Sequence, residues 1–245
     1  MDKIIKIVLG MFIVILIAFT AAITYDVYTE TAYRNSITGT YSYTGSITTD
    51  APLYNVTLFI PVPVDDKGNS PMAAEFSNHI MKGVPADWET TLFDTGKSTL
   101  LKVTAPAIIP PEGTSSQHPY TITFSSETPS RSPIDTRKPV EKSAMFRPVQ
   151  ALTSRECTRE ISNGTGALCA SFTTSLYADY SASPDTEVTI QESVTGRNTW
   201  TIFEPRSNEY YADVMTSRKG DYKGWLVMDG FLSSGAGMYD IPVVT

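Results

Sequence analysis

Histidine and cysteine are scarce: this 245-residue chain has two of each. A disulfide-dense scaffold is therefore excluded. No H-E-x-x-H or C-x-x-C spacing offers a zinc centre. A nucleophilic triad would have to use His79 or His118, and no G-x-S-x-G elbow is present; Leu232-Ser233-Ser234-Gly235 lacks the leading glycine. Phosphate-binding and dinucleotide-binding glycine motifs are missing too. Dense runs of basic charge are absent, and 19 Lys and Arg against 26 Asp and Glu leave a net −7. That balance lacks the electrostatic footprint of a nucleic-acid binder. Asp65 to Asn69 and Asp179 to Glu187 cluster oxygens, but neither follows the EF-hand pattern, so both read as polar turns. Among 26 acidic residues no pair singles itself out as a glycosidase couple. The sequence thus points to no enzyme and no cofactor.

What is present is a chain able to fold. It is 41% hydrophobic and 18% charged, which is ordinary for a globular protein. Its strongest feature is at the start. Ile7 to Ile23 reads IVLGMFIVILIAFTAAI without a charge. With Ile4 and Ile5 added and Lys6 snorkelling, the run approaches the roughly 20 residues that cross a bilayer as a helix. Lys3 and Lys6 precede it, which predicts a cytoplasmic tip at 1–6, a signal anchor at 7–25 and an extracytoplasmic region at 26–245. The alternative is a cleaved signal peptide ending near Thr20-Ala21-Ala22. Anchoring is favoured, because the run is longer than a usual signal core and Thr20 is a mediocre cleavage residue. A pilin-type start is a poor fit, since the first acid after Asp2 is Asp26.

Export agrees with three further features. Cys157 and Cys169 are close in sequence and predict a disulfide. Asn55-Val56-Thr57 and Asn163-Gly164-Thr165 are glycosylation sequons, a pattern that also arises by chance. Ser and Thr are abundant, as in exported β-rich proteins. Removing Lys3 and Lys6 from the 19 basic residues and Asp2 from the 26 acidic ones leaves 17 and 25, a net −8 outside. Such a domain stays soluble beside an anionic surface.

The exported part alternates at period 2. Ile37 to Thr49 predicts one long strand and Leu53 to Val64 a second. Pro61 and Pro63 predict that the second strand ends at an edge or leaves its sheet. Thr90 to Phe93 and Thr99 to Thr104 flank a turn and predict a hairpin. Tyr120 to Phe124, Ala170 to Tyr180 and Trp225 to Leu232 read as strands. Glu187 to Val194 and Asn198 to Phe203 read as two strands joined at Thr195-Gly196-Arg197.

Two short helices are expected. Ser70-Pro71 supplies a start, Met72, Phe76 and Ile80 share a face, and Gly83 supplies a stop. Asn208 to Thr216, capped by Ser207, places Tyr211 and Met215 on one stripe. The proline-rich stretches 105–119 and 129–148 read as connectors rather than helices. The second holds Arg131, Arg137, Lys138, Lys142 and Arg147, diluted by Asp135 and Glu141. It reads as a solvated loop, or else as a basic contact for anionic headgroups. The expected fold is mainly β: an N-terminal transmembrane helix, then a β-sandwich-like domain with possible subdomains at 36–125 and 150–245.

Aromatic residues are the remaining lead to a function. Trp88, Tyr210 and Trp225 are candidate contact residues, and Trp200, alternating with Ile202, reads as core. Asn198-Thr199-Trp200, Ser207-Asn208-Glu209-Tyr210, Gly224-Trp225 and Gly235-Ala236-Gly237-Met238-Tyr239 form a string. It resembles one in uncharacterised membrane-anchored surface proteins of methanogenic archaea. Tyr54 to Val64 and the hairpin near Lys102 are similar too. The resemblance implies an archaeal envelope location and a β-rich fold, and no catalytic residue. The expectation is therefore a structural or interaction protein of the cell envelope. It would meet the bilayer through residues 7–23 and meet protein partners or itself outside. The alternative is a carbohydrate- or solute-binding module, and behind it an exported hydrolase.

Overall fold

The fold was analysed in a computed structural model, which describes residues 2–78, 80–94, 99–157 and 167–239. The chain opens with one unbroken helix, α1 (Asp2–Ser36). Its Lys3–Ser36 part is long and apolar enough to cross a membrane, and none of its most apolar window is buried in the protein. Past the apolar run the helix continues on polar pairings. Glu30 and Arg34 form an ion pair one turn apart. The Ser36 hydroxyl closes the last turn by donating to the Ala32 carbonyl at 2.6 Å.

Among the described residues twelve strands follow: β1 (Thr38–Thr49), β2 (Leu53–Pro61), β3 (Pro63–Val64), β4 (Glu89–Asp94), β5 (Thr99–Ile108), β6 (Tyr120–Ser130), β7 (Met145–Phe146), β8 (Gln150–Arg155), β9 (Leu168–Ser181), β10 (Glu187–Ile202), β11 (Glu204–Lys219) and β12 (Tyr222–Gly237). The short helices α2 (Ala73–Ser77) and α3 (Pro139–Lys142) lie between them. Ten strands join one antiparallel sheet in the order β4-β5-β2-β9-β12-β11-β10-β1-β6, with β8 also paired to β9. The sheet curls into a half-barrel. Among the described residues the expected sandwich-like pair of sheets does not form; the second sheet there is β3 paired with β7. The stretches suggested as subdomains interleave. β1 lies between β10 and β6, and β2 between β5 and β9.

The concave face holds the core. Tyr43, Ile47, Leu58, Val103, Leu176, Ile190, Val214 and Met228 point inward from successive strands. The segments 62–88 and 131–149 fill the hollow with Val62, Val64, Met72, Phe76, Met145 and Phe146. One curled sheet can bury its inner face this way without a second large sheet. Close approach at three cross-strand pairs fits the curl. Gly45 opposes Phe124, Gly196 opposes Tyr210, and Gly230 opposes Phe172. A Cβ added at these glycines would lie 2.4, 2.2 and 2.7 Å from the facing ring. Each glycine is the space its aromatic partner occupies.

Several local expectations are corrected. Asn208 to Thr216 is not helical but the middle of β11. Thr195-Gly196-Arg197 is not a turn; β10 runs straight through it, paired with β1 on one side and β11 on the other. The helix expected after Ser70-Pro71 shortens to α2, with Met72 rather than Ser70 as its cap. The proline-rich stretch 129–148 carries α3, with Pro at its start. Other expectations hold. β2 leaves its pairing with β9 before Pro61, and the chain passes through Val62 into the small sheet. The flanks of the predicted hairpin pair antiparallel as β4 and β5, and its turn at 95–98 lies outside the described residues.

Candidate interaction surface

The strands position side chains by parity. On β12, Leu226, Met228 and Gly230 face inward, which sends Trp225 and Val227 to the convex face. Trp225 is 60% exposed and Val227 59%. Trp225 opposes Tyr177 on β9, and Tyr177 opposes Phe59 on β2. Phe93 on the edge strand β4 completes the row. The ring centroids are 5.7 Å apart for Tyr177–Trp225, 5.8 Å for Phe59–Tyr177 and 5.4 Å for Phe59–Phe93. All three contacts are edge-to-face, with interplanar angles of 72°, 75° and 69°. The Lys223 ammonium sits 2.6 Å from the Asp179 carboxylate beside this row, and that partner raises the lysine's pKa. An aromatic row bordered by charge is the usual makeup of a protein contact.

Of the three predicted contact residues, only Trp225 reaches this surface. Trp88 is buried in the core. Tyr210 is fully buried, a correction that follows from its place on a strand: parity turns Tyr210 inward and Tyr211 outward. The Tyr210 hydroxyl donates to the Ala144 carbonyl, and its ring lies over Gly196. Burial holds its pKa well above the ordinary tyrosine value. Trp200 is buried as expected, with Tyr33 of α1 edge-on at 5.6 Å. Parity alone would have flagged Phe59 and Tyr177. Their cross-strand neighbours come from distant sequence, and no local signal joins them.

Cys157 and Cys169 form the predicted disulfide. Asn55 is exposed, at φ +53° where the β2–β9 register shifts. Asn163 and His79 lie outside the described residues. His118 is exposed in a tight turn, its N–H donating to the Ser115 carbonyl at 3.0 Å. Asp65 ties its own loop: its Oδ1 accepts from the N–H groups of Lys67 at 2.9 Å and Asn69 at 2.8 Å.

The motif string of the C-terminal half folds into a latch. Asn198 Oδ1 accepts the Ile134 N–H at 2.8 Å, and Asn198 Nδ2 donates to the Ile134 carbonyl at 2.8 Å. The same Nδ2 reaches Asn208 Oδ1 at 2.9 Å, which also accepts from the Thr136 hydroxyl at 2.9 Å. Thr136 and the Tyr239 hydroxyl meet at 2.6 Å. These bonds strap segment 131–144 across one end of the sheet. Basic residues of the stretch 129–148 join in. Arg147 donates to the carbonyls of Val64 at 3.1 Å and Val140 at 2.8 Å, and Arg137 lies 4.2 Å over the Tyr239 ring. Two of the five candidate basic contacts are thereby committed to structure.

One buried ionisable pair escaped the sequence reading. Glu192, on the inward parity of β10 between Ile190 and Val194, is 1% exposed. Its Oε1 accepts the Tyr43 hydroxyl at 2.6 Å, and its Oε2 has no partner. Burial raises its pKa to about 8, opposed by the Tyr43 hydrogen bond. Burial and the neighbouring Glu192 together keep Tyr43 protonated. The Tyr43 ring is edge-on to Phe76 at 5.3 Å, so the pair sits inside the packed core rather than in a cleft.

No known family, curated protein or solved structure matched this chain.

Proposed function

We propose that this chain is a membrane-anchored extracytoplasmic interaction protein of a cell envelope, a structural component or accessory subunit of a surface assembly. The observation that carries this reading is the aromatic row Phe93–Phe59–Tyr177–Trp225 on the convex face, half-buried at Phe59 and Tyr177 and exposed at Phe93, Trp225 and the neighbouring Val227. Water-facing apolar groups of this size are costly unless something covers them. α1 supports the anchoring: it is long and apolar enough to span a bilayer, and Lys3 and Lys6 before it favour a cytoplasmic start. The disulfide supports an oxidising compartment. The resemblance to archaeal surface proteins agrees with both.

The chemistry of the row favours protein over sugar. Stacking a sugar needs an open ring face, whereas each neighbour here meets the next edge-on. The exposed Trp225 still leaves one face for a carbohydrate, the second reading. The native mass in mild detergent, extracted from the protein's own membrane, tests the first. A complex heavier than the 26.8 kDa chain is expected, and Trp225→Ala with Tyr177→Ala should release the monomer. A monomer in both cases, with Trp225 emission shifting on added oligosaccharide, would transfer the assignment to the second reading.

A further inference from the structure

The β10–β11 turn lies against the membrane helix at a particular height. Ile202 pairs with Glu204, so Phe203 alone turns the chain, at φ +62°. Glycine accepts that backbone region far more readily than a bulky aromatic does. Phe203 is also 66% exposed. Its ring stacks on Tyr25 at 6.1 Å between centroids and tilts against Tyr28 at 5.5 Å. Both tyrosines are themselves more than half exposed. The result is a three-ring cluster in which each residue is more than half exposed.

The apolar run fixes where that cluster sits. From Ile4 to Ile23 it provides about 30 Å of helix, matching the hydrocarbon thickness. Tyr25 is then about 3 Å, and Tyr28 about 7.5 Å, beyond the outer hydrocarbon boundary at 1.5 Å per residue. This is the level where aromatic side chains gather in membrane proteins. α1 is unbroken between the apolar run and the cluster. Its far end is clamped to β10. Ser36 Oγ accepts the Thr201 N–H at 2.9 Å and lies 3.2 Å from the Thr201 carbonyl, and Tyr33 packs on Trp200. The hairpin therefore cannot swing away from the helix without breaking these contacts. Glu204, beside the tip, faces Arg206 at 3.7 Å, which offsets its charge near a headgroup layer.

We propose that the tip of the β10–β11 hairpin, led by Phe203, is a second lipid contact. It seats in the boundary between headgroups and acyl chains of the outer leaflet beside Tyr25 and Tyr28, and so sets the attitude of the sheet to the bilayer. The proposal rests on the anchoring of α1. It differs from the docking role of the Trp225 row, which lies on another part of the sheet.

The test uses the full purified chain in vesicles of phosphatidylcholine and phosphatidylglycerol. The native cysteines are tied in a disulfide, so single cysteines introduced by Phe203→Cys, Glu204→Cys, Val14→Cys or Lys219→Cys accept an environment-sensitive fluorophore. Nitroxide lipids, with the spin label either at the headgroup and shallow acyl level or deep in the chains, then report depth. Expected are deep quenching at position 14, shallow quenching at 203 and 204, and none at 219, at the opposite end of β11. The label at 204 leaves Phe203 in place, so it reads the tip even where the Phe203→Cys chain folds poorly. Quenching at 14 with both tip labels as dark to lipid as 219 overturns the hairpin contact and leaves the anchor standing. No quenching at 14 overturns the anchor and the hairpin contact together.

Discussion

At the scale of single residues, Glu192 has a measurable consequence for stability. Its carboxyl is buried, and its pKa is raised from 4.5 to about 8. The folded chain therefore holds a proton that the unfolded chain releases. The sign follows: this group's contribution is fully present below about pH 4.5 and is lost as pH rises through about 8. Glu192→Gln keeps an acceptor for the Tyr43 hydroxyl and removes the charge. Thermal unfolding scanned from pH 5 to 9 should show the wild-type Tm falling relative to the variant. Parallel curves would show that the buried acid is not linked to folding. Gly196 gives the second residue-level expectation. A methyl there meets the Tyr210 ring at 2.2 Å, so Gly196→Ala should cost about 1–3 kcal/mol in urea unfolding. Tyr210→Leu in the same chain should recover part of it; an additive double variant would argue against the clash. Glu192 was legible in principle, since it shares parity with Ile190 and Val194. Its burial was not, because a lone acid in a strand normally faces water.

At the scale of elements, β8 is an exposed strand paired, among the described residues, on one side only. All six of its residues are exposed, and it is held by pairing along one part of β9. Arg155 opposes Cys169, and Cys157 follows two residues later, so the disulfide ties down the end of this strand. The bridge closes a loop of about 13 residues, which predicts about 3 kcal/mol of stabilisation by the chain-entropy account. Reduction should lower the unfolding free energy by that order and release β8 amides to hydrogen exchange before those of β10 and β11. Unchanged β8 exchange would mean the ladder suffices alone. The same scale explains the misread helix at 208–216. Tyr211 and Met215 are four residues apart, and that spacing shares a face both in a helix and in a strand. The tie was broken by β10 and β12, which supply ladder partners on both sides of β11. Gly196 looked like a turn for a similar reason. Locally it is a breaker; in the sheet it is room for a ring 14 residues away in sequence.

At the scale of the whole molecule, α1 is long and apolar enough to span a bilayer and leads into the curled sheet; on the proposed reading it is a stalk and the aromatic row a contact face. The expected topology puts Lys3 and Lys6 inside and the sheet outside. In intact cells, a membrane-impermeant amine reagent should modify lysines of the sheet, such as Lys102 and Lys223, while the two N-terminal lysines stay unmodified until the membrane is opened. The chain should also remain in the membrane after alkaline carbonate washing. Release by the wash, with loss of the first 20 or so residues by mass, would replace the anchor with a cleaved signal.

Some of this was set by the chain alone. A continuous apolar run, period-2 alternation and two cysteines 12 apart act locally, so a long apolar helix, a β-rich domain and a disulfide were legible before any fold was known. The tertiary structure decided what depends on neighbours distant in sequence. It joined the strands into one half-barrel instead of a sandwich, buried Trp88 and Tyr210, and lined up Phe93, Phe59, Tyr177 and Trp225 across four strands. It also brought Phe203 to the level of Tyr25 and Tyr28. The physical reason is that strand pairing is non-local: parity within a strand is written in the sequence, but which strand lies beside it, and in what register, is fixed only when the whole sheet closes over its core.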